Sequence, residues 1–439
     1  MPQFIKNPVI NFILQLFLSI VLFFVISEMP SIMDEVQPDS SSYMNFQSYR
    51  KSLYPMLLDL SNLLDINILI IQKFIFSFSV VYLFFKTLEF KVNPLLCLLL
   101  LLLLIFNIYY ISYTKIILPE SLFFSSIILF LAAILKKDNF YKFILIGLML
   151  GLIFNLKTIG PVFSILALLM IFITGVIKID IKKICLIFIP IIFLTFLENF
   201  FFYQKHQNRS SVFYNAVIGK LFILSGKESF DINSYPEKLK DLLVSSKSFY
   251  SKTHEFLNEI KNPVLKADYA ADYEVHAQYL FVERFEAKDE LKIYLRNNSI
   301  PIFFNLLINN PLDYLVLTLN HYVGLWSTGM RYLYPIPKSI PYVEDLSKVS
   351  GFVKFDNKKL LLLGQVFFLV LFIFSLLILF VTSLNCKKKN LLFSLSVIIH
   401  VYLISVSIIN VSTIRYLMPI YPLLLFSIIL FFNVNTVKK

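Results

Sequence analysis

Between Val9 and Ile26 the chain reads VINFILQLFLSIVLFFVI, an apolar run interrupted only by Asn11, Gln15 and Ser19. Runs of this kind approach or exceed the ~20 residues a helix needs to cross a bilayer. They recur along the chain and predict spans near 9–27, 66–85, 94–112, 117–135, 143–156, 159–177, 184–203, 361–383, 391–409 and 413–433. The pattern predicts an all-α polytopic membrane protein of about ten transmembrane helices. Its spacing is uneven. An N-terminal membrane module over 1–203, with a first loop at 28–65, is followed by a long polar-to-aromatic segment at 204–358 and a C-terminal membrane module at 359–439.

The polar segments have their own textures. In the first loop Tyr43, Phe46, Tyr49 and Leu53 form a helical stripe, predicting a surface helix capped by Asp39 or Ser40 and ended by Pro55. Residues 227–299 are polar with apolar positions three and four apart, which predicts amphipathic helices. IPIFFNLLINNPLDYLVLTLNHYVGLW, from Ile300, predicts two short interfacial helices, or a re-entrant pair, broken at Asn-Pro.

Charge adds a direction. With the N-terminus cytoplasmic, alternate loops and tails hold Lys6, Lys86, Lys91, Lys136, Lys137, Lys142, Lys178, Lys182, Lys183, Lys387, Lys388, Lys389, Lys438 and Lys439. These fourteen cations face only Glu89, Asp138 and Asp180, and the rest of the chain is near balance at 26 basic and 25 acidic residues. The net charge of +12 is therefore a topology signal that requires no nucleic-acid partner. Both termini are expected in the cytoplasm, the first loop and 204–358 outside. No small-residue cleavage site follows the first span, so it is expected to stay as an uncleaved helix. Phe, Ile, Lys and Asn are over-used, which suggests an AT-rich bacterial genome and places the chain in the cytoplasmic membrane. Cys97, Cys185 and Cys386 fall in or beside spans or on the cytoplasmic side, leaving the outer loops without a disulfide framework.

The acidic first loop then becomes an outward-facing site. Glu28, Asp34, Glu35 and Asp39 follow the first span closely. Carboxylates held at an apolar interface suit general-base work or divalent-ion binding; Asp39 is equally suited to capping a helix. Glu120 opens the fourth span behind Pro119, with Lys115 as a structural partner or plain helix initiation as the alternative. Lys157, Arg209, Arg331 and Arg415 sit at outward positions, where each would also snorkel to head groups. Lys73 and His400 lie deeper in spans, and His400 reads as a packed core histidine.

Four stretches resemble the GT-C glycosyltransferase superfamily, the multi-span enzymes related to protein O-mannosyltransferases and lipid A aminoarabinose transferases. They are PDSSSYMNFQSYRKSLYPMLLDL, ILPESLFFSSIILFLAAI, INNPLDYLVLTLNHYVGLW and STIRYLMPIYPLLLFSIIL, in order and on the expected sides. The resemblance implies inverting transfer of a sugar from a polyprenyl-phosphate donor to a lipid, glycan or protein acceptor at the outer face. Carried onto this chain, Asp39 matches the catalytic acid, with Asp34 second. Glu120 matches a second outer-loop acid, and Arg415 the cation opening the last span. Tyr43, Arg50, Lys157 and Arg331 are expected to bind substrate. Many members use a divalent metal ion, yet no His-rich cluster stands here. Three other readings fit the topology. A polysaccharide polymerase or ligase would use pyrophosphate-linked glycans. A secondary transporter would place ionisable groups at the midplane of two repeats. A non-catalytic scaffold would leave the outward polar residues unexplained.

Overall fold

The computed structural model describes residues 7–436 apart from 32, 38, 137, 179, 211–212, 264, 268, 272, 275–288, 328–357, 385–389 and 411–413. Regular structure among the described residues is helical throughout, without strands. Among the described residues six helices are long and apolar enough to cross a membrane, or up to eight if each of two bent pairs is one span. The chain divides into two compact units: residues 1–209, 373–402 and 418–439, and residues 210–372 and 403–417.

In the first unit, side-chain amides or a carboxylate start several of the helices. Asn7 accepts from Val9 N at the head of α1 (Pro8–Glu28). The loop helices α2 (Ser40–Met44) and α3 (Leu53–Leu63) follow. Asn67 caps α4 (Ile68–Glu89), Asn93 caps α5 (Pro94–Ile105) and Asn107 caps α6 (Ile108–Thr114). In hydrocarbon there is no water to satisfy the first N–H groups, so a capping oxygen matters more than in a soluble helix. The expected single span at 94–112 is broken here. The two pieces are bent by 56°; the first stops at Ile105, and Asn107 accepts from Tyr109 N and Tyr110 N to begin the next.

α7 (Glu120–Leu135) is apolar on every face and buried on nearly all of them, packed by α4 and α8 (Phe140–Leu156). α9 (Gly160–Ile173) leads to α10 (Ile181–Lys205). α8 and α10 approach closely because Gly147 and Gly151 carry no side chain: a Cβ on Gly147 would lie 2.2 Å from Ile187 O. Asn155 Nδ2 donates to Thr195 Oγ1 at 3.1 Å across the same pair. α7 and α9 are shorter than the spans read for these segments, α8 runs slightly beyond its predicted span, and none of the three is long enough to qualify as a crossing helix.

The second unit includes α11 (Phe213–Ser225), the amphipathic α12 (Glu237–Glu259), α13 (Asp289–Asn309) and α14 (Pro311–Ser327). Leu221, Phe222, Leu243, Tyr250, Leu306 and Tyr314 lie in one buried cluster. α13 and α14 meet at 105° around Asn310, where Pro311 cannot continue the ladder. The remaining helices are α15 (Lys358–Ser383), α16 (Asn390–Ile409), the short α17 (Ile414–Leu417) and α18 (Tyr421–Thr436).

Candidate functional site

The first loop does not form one capped helix. α2 ends at Met44, and Pro55 lies within the first turn of α3 instead of terminating anything. Asp39 occupies the N-cap position of α2, but its side chain makes no capping bond. It pairs with Arg50, whose Nη2 donates to Asp39 Oδ1 at 2.7 Å. Arg50 Nε also donates to Ser42 Oγ at 2.8 Å and Nη1 to the Tyr43 hydroxyl at 3.4 Å. The guanidinium lies over the Tyr43 ring at 4.4 Å and near that of Tyr49 at 5.0 Å. Burial disfavours its charge, but Tyr43 and Asp39 outweigh this and hold the Arg50 pKa above its ordinary value. Asp39 keeps 36% of its side chain exposed against 19% for Arg50, so the carboxylate is the reachable member of the pair.

The loop is fixed from behind. Phe46 has φ of 40°, a left-handed conformation that costs a bulky residue of order 1–2 kcal/mol. Its ring packs edge-on to Phe202 and His206, and its carbonyl is bonded to His206 Nε2 at 2.6 Å. At the start of α3, Ser52 N donates to the buried Glu198 Oε1 at 3.0 Å, and Arg209 grips both oxygens of Glu198 at 2.9 and 2.8 Å.

Glu120 stands at the first position of α7, and its carboxylate is buried. Lys157, immediately after α8, donates from Nζ to Glu120 Oε1 at 2.8 Å. Lys115, the partner suggested by sequence proximity, instead donates to Ser27 O and Met29 O at the end of α1. Glu120 Oε2 has no hydrogen-bond partner among the described residues. The Tyr54 ring meets that of Tyr43 at 5.5 Å, and burial, with the charge of Glu120 adding to it, raises its pKa. Its hydroxyl donates to Gln72 Oε1 at 2.6 Å.

Asp39, Tyr43 and Arg50 therefore meet, with the Tyr54 ring against Tyr43, and Glu120 separately meets Lys157. Asp34 is exposed on the preceding loop; its carbonyl accepts from Gln37 Nε2, and its carboxylate has no ion-pair partner among the described residues. Arg331 lies outside the described residues. Arg415 belongs to the second unit, with its guanidinium 5.4 Å from the ring of Tyr416. His400 is buried and hydrogen-bonded to the Ser375 backbone, as a packed histidine would be. No group of three His, Cys, Asp or Glu side chains converges among the described residues. Asp39 and Glu120 are each engaged by a cation, a donor set that does not fit a divalent metal, so no step is derived through one.

Three features had escaped the sequence reading. Tyr54 and Gln72 look like ordinary helix residues in one dimension. Glu198 is a lone acid in an apolar run, a pattern that marks function or pairing in membranes. In the second unit, Lys220 and His321 both bind Glu274, all three fully buried. Lys220, alone among apolar residues in NAVIGKLFIL, carried the same signal. No family model, curated protein or solved structure matches this chain.

Proposed function

We propose that this protein is an integral membrane glycosyltransferase of GT-C type, with about ten spans and both termini in the cytoplasm of a bacterial cell. It transfers a sugar from a polyprenyl-phosphate donor to a lipid, glycan or protein hydroxyl at the outer face, with inversion. The observation that carries this reading is the half-exposed Asp39 carboxylate, fixed by Arg50 and flanked by Tyr43, in a loop directly following the first span.

Inverting transfer needs an acceptor hydroxyl oriented and relieved of its proton, and positive charge for the departing phosphate. An aspartate held by arginine is a weak base and a well-aimed acceptor. Asp39 orients the hydroxyl and takes its proton late, as the oxygen attacks the anomeric carbon. The bond from that carbon to the phosphate oxygen breaks on the opposite face, and its electrons leave with the phosphate. Arg50 supplies compensating charge beside Asp39, and the buried Glu120–Lys157 pair anchors the start of α7.

The experiment is transfer from a panel of labelled polyprenyl-phosphate sugars to a cell-envelope extract by the protein in lipid, beside Asp39→Asn. Transfer by wild type only supports the reading. Transfer confined to pyrophosphate-linked glycans would replace it with a polymerase or ligase, and solute uptake without transfer with a transporter.

A further inference from the structure

The carboxyl-terminal turns of α10 carry a lipid-like surface whose polar end is positively charged. Phe196, Asn199, Phe200, Tyr203 and Gln204 line a shallow groove of about 430 Å³ on one face of the helix. Their spacing of three and four places them in a single stripe. Phe196, Phe200 and Tyr203 are 64%, 50% and 61% exposed, so nothing described covers the stripe. Asn199 joins it to the charged end, because Arg209 Nη2 donates to Asn199 Oδ1 at 3.4 Å.

The charges at that end do not cancel. Arg209 is matched by Glu198, and Lys205 by Asp59 at 2.8 Å. Lys51 is left over. Its ammonium makes no ion pair or hydrogen bond among the described residues, lying 5.6 Å from the Phe154 ring. It is close enough to Glu198 and Arg209 to feel both charges. Burial is the main cause lowering its pKa, with Glu198 opposing and Arg209 adding. The surplus of positive charge follows from the pairing, since Ser52, next in the chain, donates to a Glu198 that Arg209 already holds.

We propose that this surface binds one anionic phospholipid, with an acyl chain along Phe196, Phe200 and Tyr203 and the phosphate beside Lys51 and Arg209. The unmatched cation selects an anionic head group over a zwitterionic one. The apolar stripe selects an amphiphile over a soluble anion. In the proposed topology this end of α10 faces the outer leaflet. The inference does not depend on glycosyl transfer.

The test is native mass spectrometry of the full-length protein exchanged from detergent into phosphatidylglycerol or phosphatidylcholine, with melting temperature measured alongside. Wild type is expected to retain one phosphatidylglycerol in preference to phosphatidylcholine. In Lys51→Gln that preference should fall about fivefold, the contribution of one basic residue at an anionic surface, with melting unchanged. Lys205→Gln, which removes a cation already matched by Asp59, should retain the lipid as wild type does. Equal retention by Lys51→Gln and wild type would overturn the proposal. So would displacement by inorganic phosphate, which would mean that the head group alone is recognised. Stoichiometric displacement by a polyprenyl monophosphate would overturn it in favour of a donor site.

Discussion

Lys157 Nζ lies 2.8 Å from Glu120 Oε1, joining the first residue of one buried helix to the residue that ends the next. Both partners are more than nine-tenths buried, so neither charge is screened by water. Removing one partner of such a pair costs about 3–5 kcal/mol, while replacing both is far milder. Lys157→Met should therefore lower the melting temperature in detergent sharply, and Glu120→Gln with Lys157→Met should recover most of it. A double variant as unstable as the single would show that the pair is not what the fold depends on.

Arg50 reaches three different partners from its planar head, which a lysine ammonium cannot copy. Arg50→Lys should express normally yet lose about 10²-fold in transfer rate, the scale of an ångström misplacement of the reacting group. The check is kcat measured beside Asp39→Asn; wild-type turnover in Arg50→Lys would remove the loop from the mechanism.

Acid should loosen the second unit through Glu274. Burial alone would raise its pKa, but His321 and Lys220 reverse this and hold the carboxyl below the ordinary glutamate value. The unfolded chain thus binds the proton more readily. The stability from Glu274 is present above the ordinary glutamate range and is lost as pH falls through the lowered value. Trp326, the single tryptophan, is fully buried in this unit and gives the readout. Its emission should shift red in that window for wild type, whereas Glu274→Gln should already be destabilised at pH 7 and show no such step.

The close contact of α8 with α10 depends on a missing side chain. Gly147→Ala would drive its Cβ into the Ile187 carbonyl, and backbone yields less readily than a side-chain tip. A loss of about 1–3 kcal/mol is expected, the range for overpacking, read as a lower melting temperature with transfer per folded molecule unchanged.

Sidedness is open to labelling. Cys185 is exposed and Cys97 buried. In intact cells a membrane-impermeant maleimide should leave wild type unmodified until the membrane is permeabilised, and should label Val36→Cys at once, since Val36 is 55% exposed. The opposite pattern would invert the proposed topology.

The sequence by itself determined that the chain is helical and that several of its runs are apolar enough to cross a bilayer, though not which of the ten predicted runs form one unbroken helix long enough to do so. Those properties follow from consecutive residues: a backbone in hydrocarbon must satisfy its own hydrogen bonds, and only a long apolar helix does so. Asn67, Asn93 and Asn107 cap helices through N–H groups two or three residues ahead, a local feature that the pattern of apolar runs did not bring out. Tertiary structure decided the rest. Sequence distance favoured Lys115 for Glu120, five residues away, yet the fold brings Lys157 across 37 positions and gives Lys115 to the end of α1. Asp39 could have capped α2, but Arg50 folds back over eleven residues to take it. Lys220, Glu274 and His321 come from three separate stretches of the chain and meet only in the packed unit. Helix periodicity says which face of a helix is apolar. It does not say which helix that face will meet, and a buried charge is matched by whichever opposite charge the packing brings within reach.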